Sequence, residues 1–137
     1  MAGSPVYRVK TIKQCQKKIK GIIDQLKRGT SIEEDFFYEL QIAANEICYN
    51  AVEHGNRFSR RKFVQIRYYQ EREQIVFMIQ DQGSGFNPED LVDPTLQDNI
   101  LKPRGRGIFL ARHMVDELIF CDEGRKVFLV KKIKKST

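Results

Sequence analysis

An α+β fold of two layers, with helices on one face of a mainly antiparallel sheet, is predicted by three observations. Apolar residues recur at every third or fourth position over two long segments in the first part of the chain. The period then drops to two over Phe63–Tyr69 and Gln74–Gln80, which are joined around Glu71-Arg72-Glu73 and so read as a hairpin. After a stretch rich in Gly, Pro, Asp and Asn, one more helical segment precedes a second pair of β-prone runs. Helices and strands are segregated rather than alternating, which favours antiparallel pairing.

The elements follow in order. Val6–Val9 is a short β-prone run. Thr11 and Gln14 form a T-x-x-Q capping pattern that opens a helix, with Ile12, Cys15, Ile19, Ile22, Ile23 and Leu26 at helical spacing and a stop near Gly29. Ser31 and Glu34 make a second capping box. It opens a longer helix whose stripe is Phe36, Leu40, Ala43, Ala44, Ile47 and Ala51, ending near Gly55. The first hairpin comes next, then the long segment from Asp81 to Gly107, whose length is that of a functional lid. A helix over Ile108–Leu118 is expected to point Leu110, Met114 and Val115 or Leu118 inward. A closing hairpin pairs Leu118–Cys121 with Lys126–Ile133 around Asp122-Glu123-Gly124.

At 137 residues, 41% hydrophobic and 31% charged, the chain has the size and composition of one soluble domain spanning 1–137. No apolar run approaches the ~18 residues of a membrane span, and Met-Ala-Gly-Ser-Pro-Val-Tyr-Arg lacks a signal peptide's apolar stretch. Cys15, Cys48 and Cys121 show neither CxxC nor zinc spacing and are expected to be packing thiols in a reducing compartment, hence a cytoplasmic protein. The net charge of +6 is unevenly spread. Residues 1–30 hold eight Lys/Arg against Asp24 alone, residues 125–137 hold six and no acid, and residues 31–124 hold ten basic against seventeen acidic side chains. The terminal lysines alternate with apolar residues, as on a solvated helix or strand face. That pattern gives no aromatic-lined basic groove, so direct nucleic-acid binding is not expected.

Three local features carry chemistry. Glu46 and Asn50 are four residues apart on the second helix, hence on one face, with Glu53 and His54 a turn further on. A carboxylate and an amide beside an apolar stripe are costly unless paired or liganded. Asp81-Gln82-Gly83-Ser84-Gly85 directly follows a strand, and its glycines permit close backbone approach to a ligand or an ordinary turn. Arg104-Gly105-Arg106-Gly107 precedes the last helix, where free N–H groups and the dipole can hold an anion and arginines can add phosphate contacts.

In this order, E-x-x-x-N, D-x-G-x-G, lid and G-x-G resemble the GHKL ATPase superfamily. Within it they are most similar to the small anti-sigma-factor serine kinases of bacterial partner-switching systems. The resembling stretches are Glu46-Ile-Cys-Tyr-Asn50-Ala-Val-Glu-His54-Gly55-Asn56, Asp81-Gln-Gly-Ser-Gly85-Phe86 and Gly105-Arg-Gly107-Ile-Phe-Leu110, followed by Asp116. The likeness runs over residues 6–133 and implies the Bergerat ATP-binding sandwich.

The resemblance also implies roles. Glu46 would be the general base toward a partner's serine or threonine, and Asn50 the Mg²⁺ ligand. His54 would approach the phosphates. Asp81 would accept from the adenine amino group, with Gly83 and Gly85 against base and ribose. Residues 87–104 would form the ATP lid, and Arg104, Gly105, Arg106 and Gly107 would wrap the phosphates. ATP and Mg²⁺ are the implied cofactors. The implied partners are a STAS-type antagonist that is phosphorylated, a sigma factor or analogous regulator that is held, and a second copy in a homodimer, with no membrane contact. One departure stands out: Gly124-Arg125-Lys126-Val127 offers no threonine or serine where many such proteins place one beside the adenine aspartate. An ATP-binding module that sequesters a partner without phosphorylating it is the alternative.

Overall fold

A computed structural model describes residues 4–85 and 103–134, with the backbone alone for residues 103–106. The first helix, α1 (Ile12–Lys27), begins where Thr11 Oγ1 accepts from Gln14 N at 3.1 Å, and the Gln14 side chain reaches back to Lys10 N at 2.7 Å. Cys15, Ile19, Ile22 and Ile23 form its buried stripe, as the spacing predicts. The second helix, α2 (Glu34–Asn50), departs from the expected capping box. Its N-cap is Glu33, without a side-chain cap, while Thr30 Oγ1 accepts from Ile32 N in the preceding turn. Phe37 rather than Phe36 lies fully inside, with Leu40, Ala43, Ala44, Ile47 and Cys48.

Five strands, β1 (Tyr7–Val9), β2 (Val64–Gln70), β3 (Gln74–Gln80), β4 (Glu117–Cys121) and β5 (Lys126–Lys132), form one sheet in the order β1-β2-β3-β5-β4. Every neighbouring pair is antiparallel. The chain thus leaves β3, returns through helix α3 (Pro103–Met114) to edge strand β4, and inserts β5 beside β3. Ile66, Ile75, Phe77, Ile79, Val127 and Leu129 make the sheet side of the core, against the apolar stripes of the helices. This is the α+β sandwich that the periodicities predict.

Two corrections concern α3 and the cysteines. Helix α3 begins at Pro103, not Ile108, so Arg104, Gly105, Arg106 and Gly107 form its first turns rather than a loop before it. Proline suits a first helical position because the missing N–H would be unpaired there anyway. Ile108, Ala111 and Val115 face inward and Leu110 is exposed. Cys15 and Cys48 are not separate packing thiols. They form a disulfide between α1 and α2, with Cα atoms 6.3 Å apart, and Cys121 is exposed. Spacing could not show this pairing, because the two residues meet only when the helices pack. No helix among the described residues is long and apolar enough to cross a membrane.

Candidate functional site

Helix α2 does not run on regularly to Gly55. It passes at Asn50 into a π-helical turn, Ala51–Gly55, closed by Asn56 N donating to Ala51 O at 2.8 Å. A π turn inserts a residue and re-aims the backbone beyond it, a device common at functional sites. Glu46 and Asn50 stay on one face of α2, both half-buried, and His54 sits half-buried in the π turn.

The π turn delivers Gly55 against Asp81. A Cβ on Gly55 would overlap the Asp81 carboxylate, and one on Gly83 would overlap the Gly55 carbonyl and come within 3.0 Å of Asp81 Oδ1. The two glycines are therefore a cradle around one buried carboxylate (Asp81 is 8% exposed). Its orientation is fixed from both sides: Gly83 N donates to Asp81 Oδ1 at 2.7 Å, and Asp81 N donates to Arg125 O at 2.9 Å. A nearly buried acceptor of fixed direction is suited to one amino donor on a ligand and rejects a carbonyl oxygen in that place.

At the other end of the same face, Glu46 Oε2 lies 2.8 Å from where a Cβ on Gly107 would sit. Glu46 thus borders the N-terminal half of α3, where the helix dipole favours phosphate oxygens. Burial raises its carboxyl pKa above the usual value by disfavouring the charged form. A carboxylate whose proton affinity is raised beside a helix N-terminus can take a hydroxyl proton. Among the described residues no three His, Cys, Asp or Glu side chains cluster closely enough to hold a cation. A Mg²⁺ ion at Asn50 would accordingly draw most of its ligands from phosphate and water, which suits that ion.

Gly85 has φ +85, and a Cβ there would come within 2.7 Å of Glu123 O and 3.0 Å of an Arg125 η nitrogen. Arg125 lies in the Gly124–Val127 stretch, which offers no threonine or serine. Its guanidinium pairs with Asp122 at 3.1 Å and Glu123 at 3.5 Å. The Asp122 hydrogen bond is the main cause that raises its proton affinity, with Glu123 and Asp81 adding attraction. The turn that carries it is tight, with positive φ at Asp122, Glu123 and Gly124.

The fold therefore brings Glu46 to Gly107, Asp81 to Gly83, and Gly85 to the β4–β5 turn. The side chains of Arg104 and Arg106, and lid residues 87–102, lie outside the described residues. Asp116 is structural: its Oδ2 accepts from Lys132 N at 2.6 Å and ties the end of α3 to β5. Reasoning from sequence assigns no role to Gly55, Asn56, Gln82 or Arg125. Asn56, 3% exposed, accepts from Gln82 N through Oδ1 at 2.7 Å and so fastens the π turn to the D-x-G-x-G turn. A cavity of about 860 Å³ at the opposite ends of the helices, bordered by Glu33, Glu39, His113, Asp116 and Lys131, includes none of the predicted site residues.

Over 102 residues the chain is 28% identical to the serine-protein kinase RsbW of Bacillus licheniformis, an alignment that covers 72% of this chain and 57% of that protein. The chain thus spans little more than half the length of this relative. The profile of the histidine kinase-like ATPase domain matches residues 13–131, taking in α1, the Glu46 helix, the Asp81 cradle and the α3 turn. With this match over most of its length and the antiparallel sandwich, the chain belongs to the histidine kinase-like ATPase domain family.

Proposed function

We propose that the chain is an ATP-dependent protein serine/threonine kinase that acts as an anti-sigma factor in a partner-switching system. In this reading it is one domain over 1–137, works in the cytoplasm as a homodimer, and phosphorylates a STAS-type antagonist. The observation that carries the reading is the Glu46 carboxylate beside Gly107. Glu46 takes the proton from a partner's serine or threonine hydroxyl as that oxygen bonds to the γ-phosphorus and the bond to ADP breaks. Asp81, cradled by Gly55 and Gly83, accepts from the adenine amino group, and Gly85 lets the backbone pass the base. The first turns of α3, Arg104 to Gly107, hold the phosphates, with His54 approaching them and residues 87–102 closing over them as the lid. Mg²⁺ held at Asn50 neutralises phosphate charge when bound.

Calorimetry with Mg²⁺-ATP tests the site. Wild type is expected to bind, and Asp81→Asn to lose about tenfold or more, ~1.4 kcal/mol. Absence of binding by wild type overturns the reading. Glu46→Ala then separates the two classes of function, since a kinase loses phosphotransfer and keeps its partner. The sequestering module is favoured by one observation, Arg125 against Gly85 in the base-side turn. It is the outcome if phosphotransfer is absent from the wild type although ATP binds.

A further inference from the structure

The loop from Asn56 to Phe63 carries a feature that nucleotide binding does not use. Arg57, Arg60, Arg61 and Lys62 are all exposed, and no ion pair among the described residues involves any of them. No acidic residue occurs between Glu53 and Glu71. In their midst Phe58 is 58% exposed, an aromatic ring held in water. It is held by the backbone: Arg57 and Phe58 both have positive φ (51 and 57), and Phe58 N donates to Val52 O at 2.9 Å. Ser59 N donates to Asn56 O at 3.0 Å, and Arg61 N to Ser59 Oγ at 3.3 Å. Both ends of the loop fasten on one residue. Gln82 N donates to Asn56 Oδ1 at 2.7 Å, and Phe63 N donates to Gln82 Oε1 at 2.8 Å. Gln82 adjoins Asp81, so the loop is a bracket mounted on the base-side turn of the nucleotide site.

We propose that this loop is a docking surface for a short acidic segment of a protein partner that bears an apolar side chain for Phe58. Arginine and aromatic side chains dominate the energetics of protein interfaces, and a pre-ordered loop loses little entropy on binding. Ring content decides against a nucleic acid. The loop's four exposed cations, joined at its end by Arg8 against Phe63, complement a short acidic segment. Single strands are gripped by successive stacked aromatics, but within the loop Phe58 has no second exposed ring, since Phe63 lies half-buried with Arg8 5.2 Å from its ring centre. The inference rests on the partner half of the proposed function, not on phosphotransfer.

The probe is a fluorescein-labelled short peptide of Asp and Glu around a central Leu-Phe, titrated by anisotropy with the full chain at low salt. Arg60→Glu/Arg61→Glu and Phe58→Ser are each expected to weaken binding about tenfold or more. Lys13→Glu/Lys17→Glu, an equal charge change on exposed α1 positions, is expected to stay within about threefold. Equal loss in that control, or no binding by wild type, overturns the proposal. Tighter loop-dependent binding of a single-stranded oligonucleotide of matched charge overturns it in favour of a nucleic-acid surface. Protection of Arg60 and Arg61 from phenylglyoxal by the unlabelled peptide, read by mass spectrometry, gives the same answer on the wild type without any substitution. Mg²⁺-ATP calorimetry on the same proteins keeps the two ideas apart: peptide binding without ATP binding leaves the loop standing and removes the kinase.

Discussion

At position 55 a hydrogen is the largest substituent the fold accepts, because the Asp81 carboxylate fills the space a Cβ needs. Gly83→Ala meets the Gly55 backbone, whereas Gly107→Ala meets only the far end of the Glu46 side chain, which can swing. Gly83→Ala is therefore expected to cost about 1–3 kcal/mol of stability by overpacking. Gly107→Ala is expected to melt close to wild type while slowing phosphotransfer; comparable melting losses in both would refute the assignment. Glu46 makes a pH prediction. Burial raises its folded-state pKa above the unfolded value of about 4.5. For a raised carboxyl, the stabilising contribution is complete below the unfolded pKa and is lost as pH rises through the folded one. Glu46→Gln removes the buried charge, so it should melt above wild type at pH 7, with the gap closing toward pH 4. Melting curves across that range check the sign. Glu46 and Asn50 are legible from sequence because helical spacing alone puts them on one face. Gly55 and Arg125 are not, since their roles depend on segments far apart in the chain.

At the scale of elements, the α1–α2 pair is joined by the Cys15–Cys48 disulfide, 33 residues apart in sequence. Closing a loop of that length removes unfolded-state entropy worth about 3–4 kcal/mol in the chain-entropy model. Reduction should lower Tm accordingly, and thiol titration of the denatured, unreduced chain should find Cys121 alone. Three thiols would show the pair reduced, as a cytosolic compartment keeps most cysteines, so the count tests the compartment as well. The hairpins are readable because Glu71-Arg72-Glu73 and Asp122-Glu123-Gly124 interrupt period-two runs. The start of α3 is hidden from local reading because glycines usually mark loops, yet Gly105 and Gly107 sit inside the helix that Pro103 opens. The end of α2 is hidden for the opposite reason, since a π turn keeps a nearly helical apolar pattern while shifting the backbone by one residue.

For the molecule as a whole, one core shared by the three helices and the five-stranded sheet should unfold as a unit. Far- and near-ultraviolet circular dichroism are expected to give coincident melting transitions, and two separated transitions would divide the domain. Mg²⁺-ATP at about a hundred times its Kd should stabilise the chain by ~2.7 kcal/mol if only the folded state binds. Local periodicity and turn chemistry were enough to specify the layers, the hairpins and the face bearing Glu46 and Asn50, because these depend on residues a few positions apart. Packing alone decided which distant groups meet: Asp81 with Gly55, Glu46 with Gly107, Arg125 with Gly85, and Cys15 with Cys48. Those encounters arise from strand order and helix placement, which no local spacing encodes.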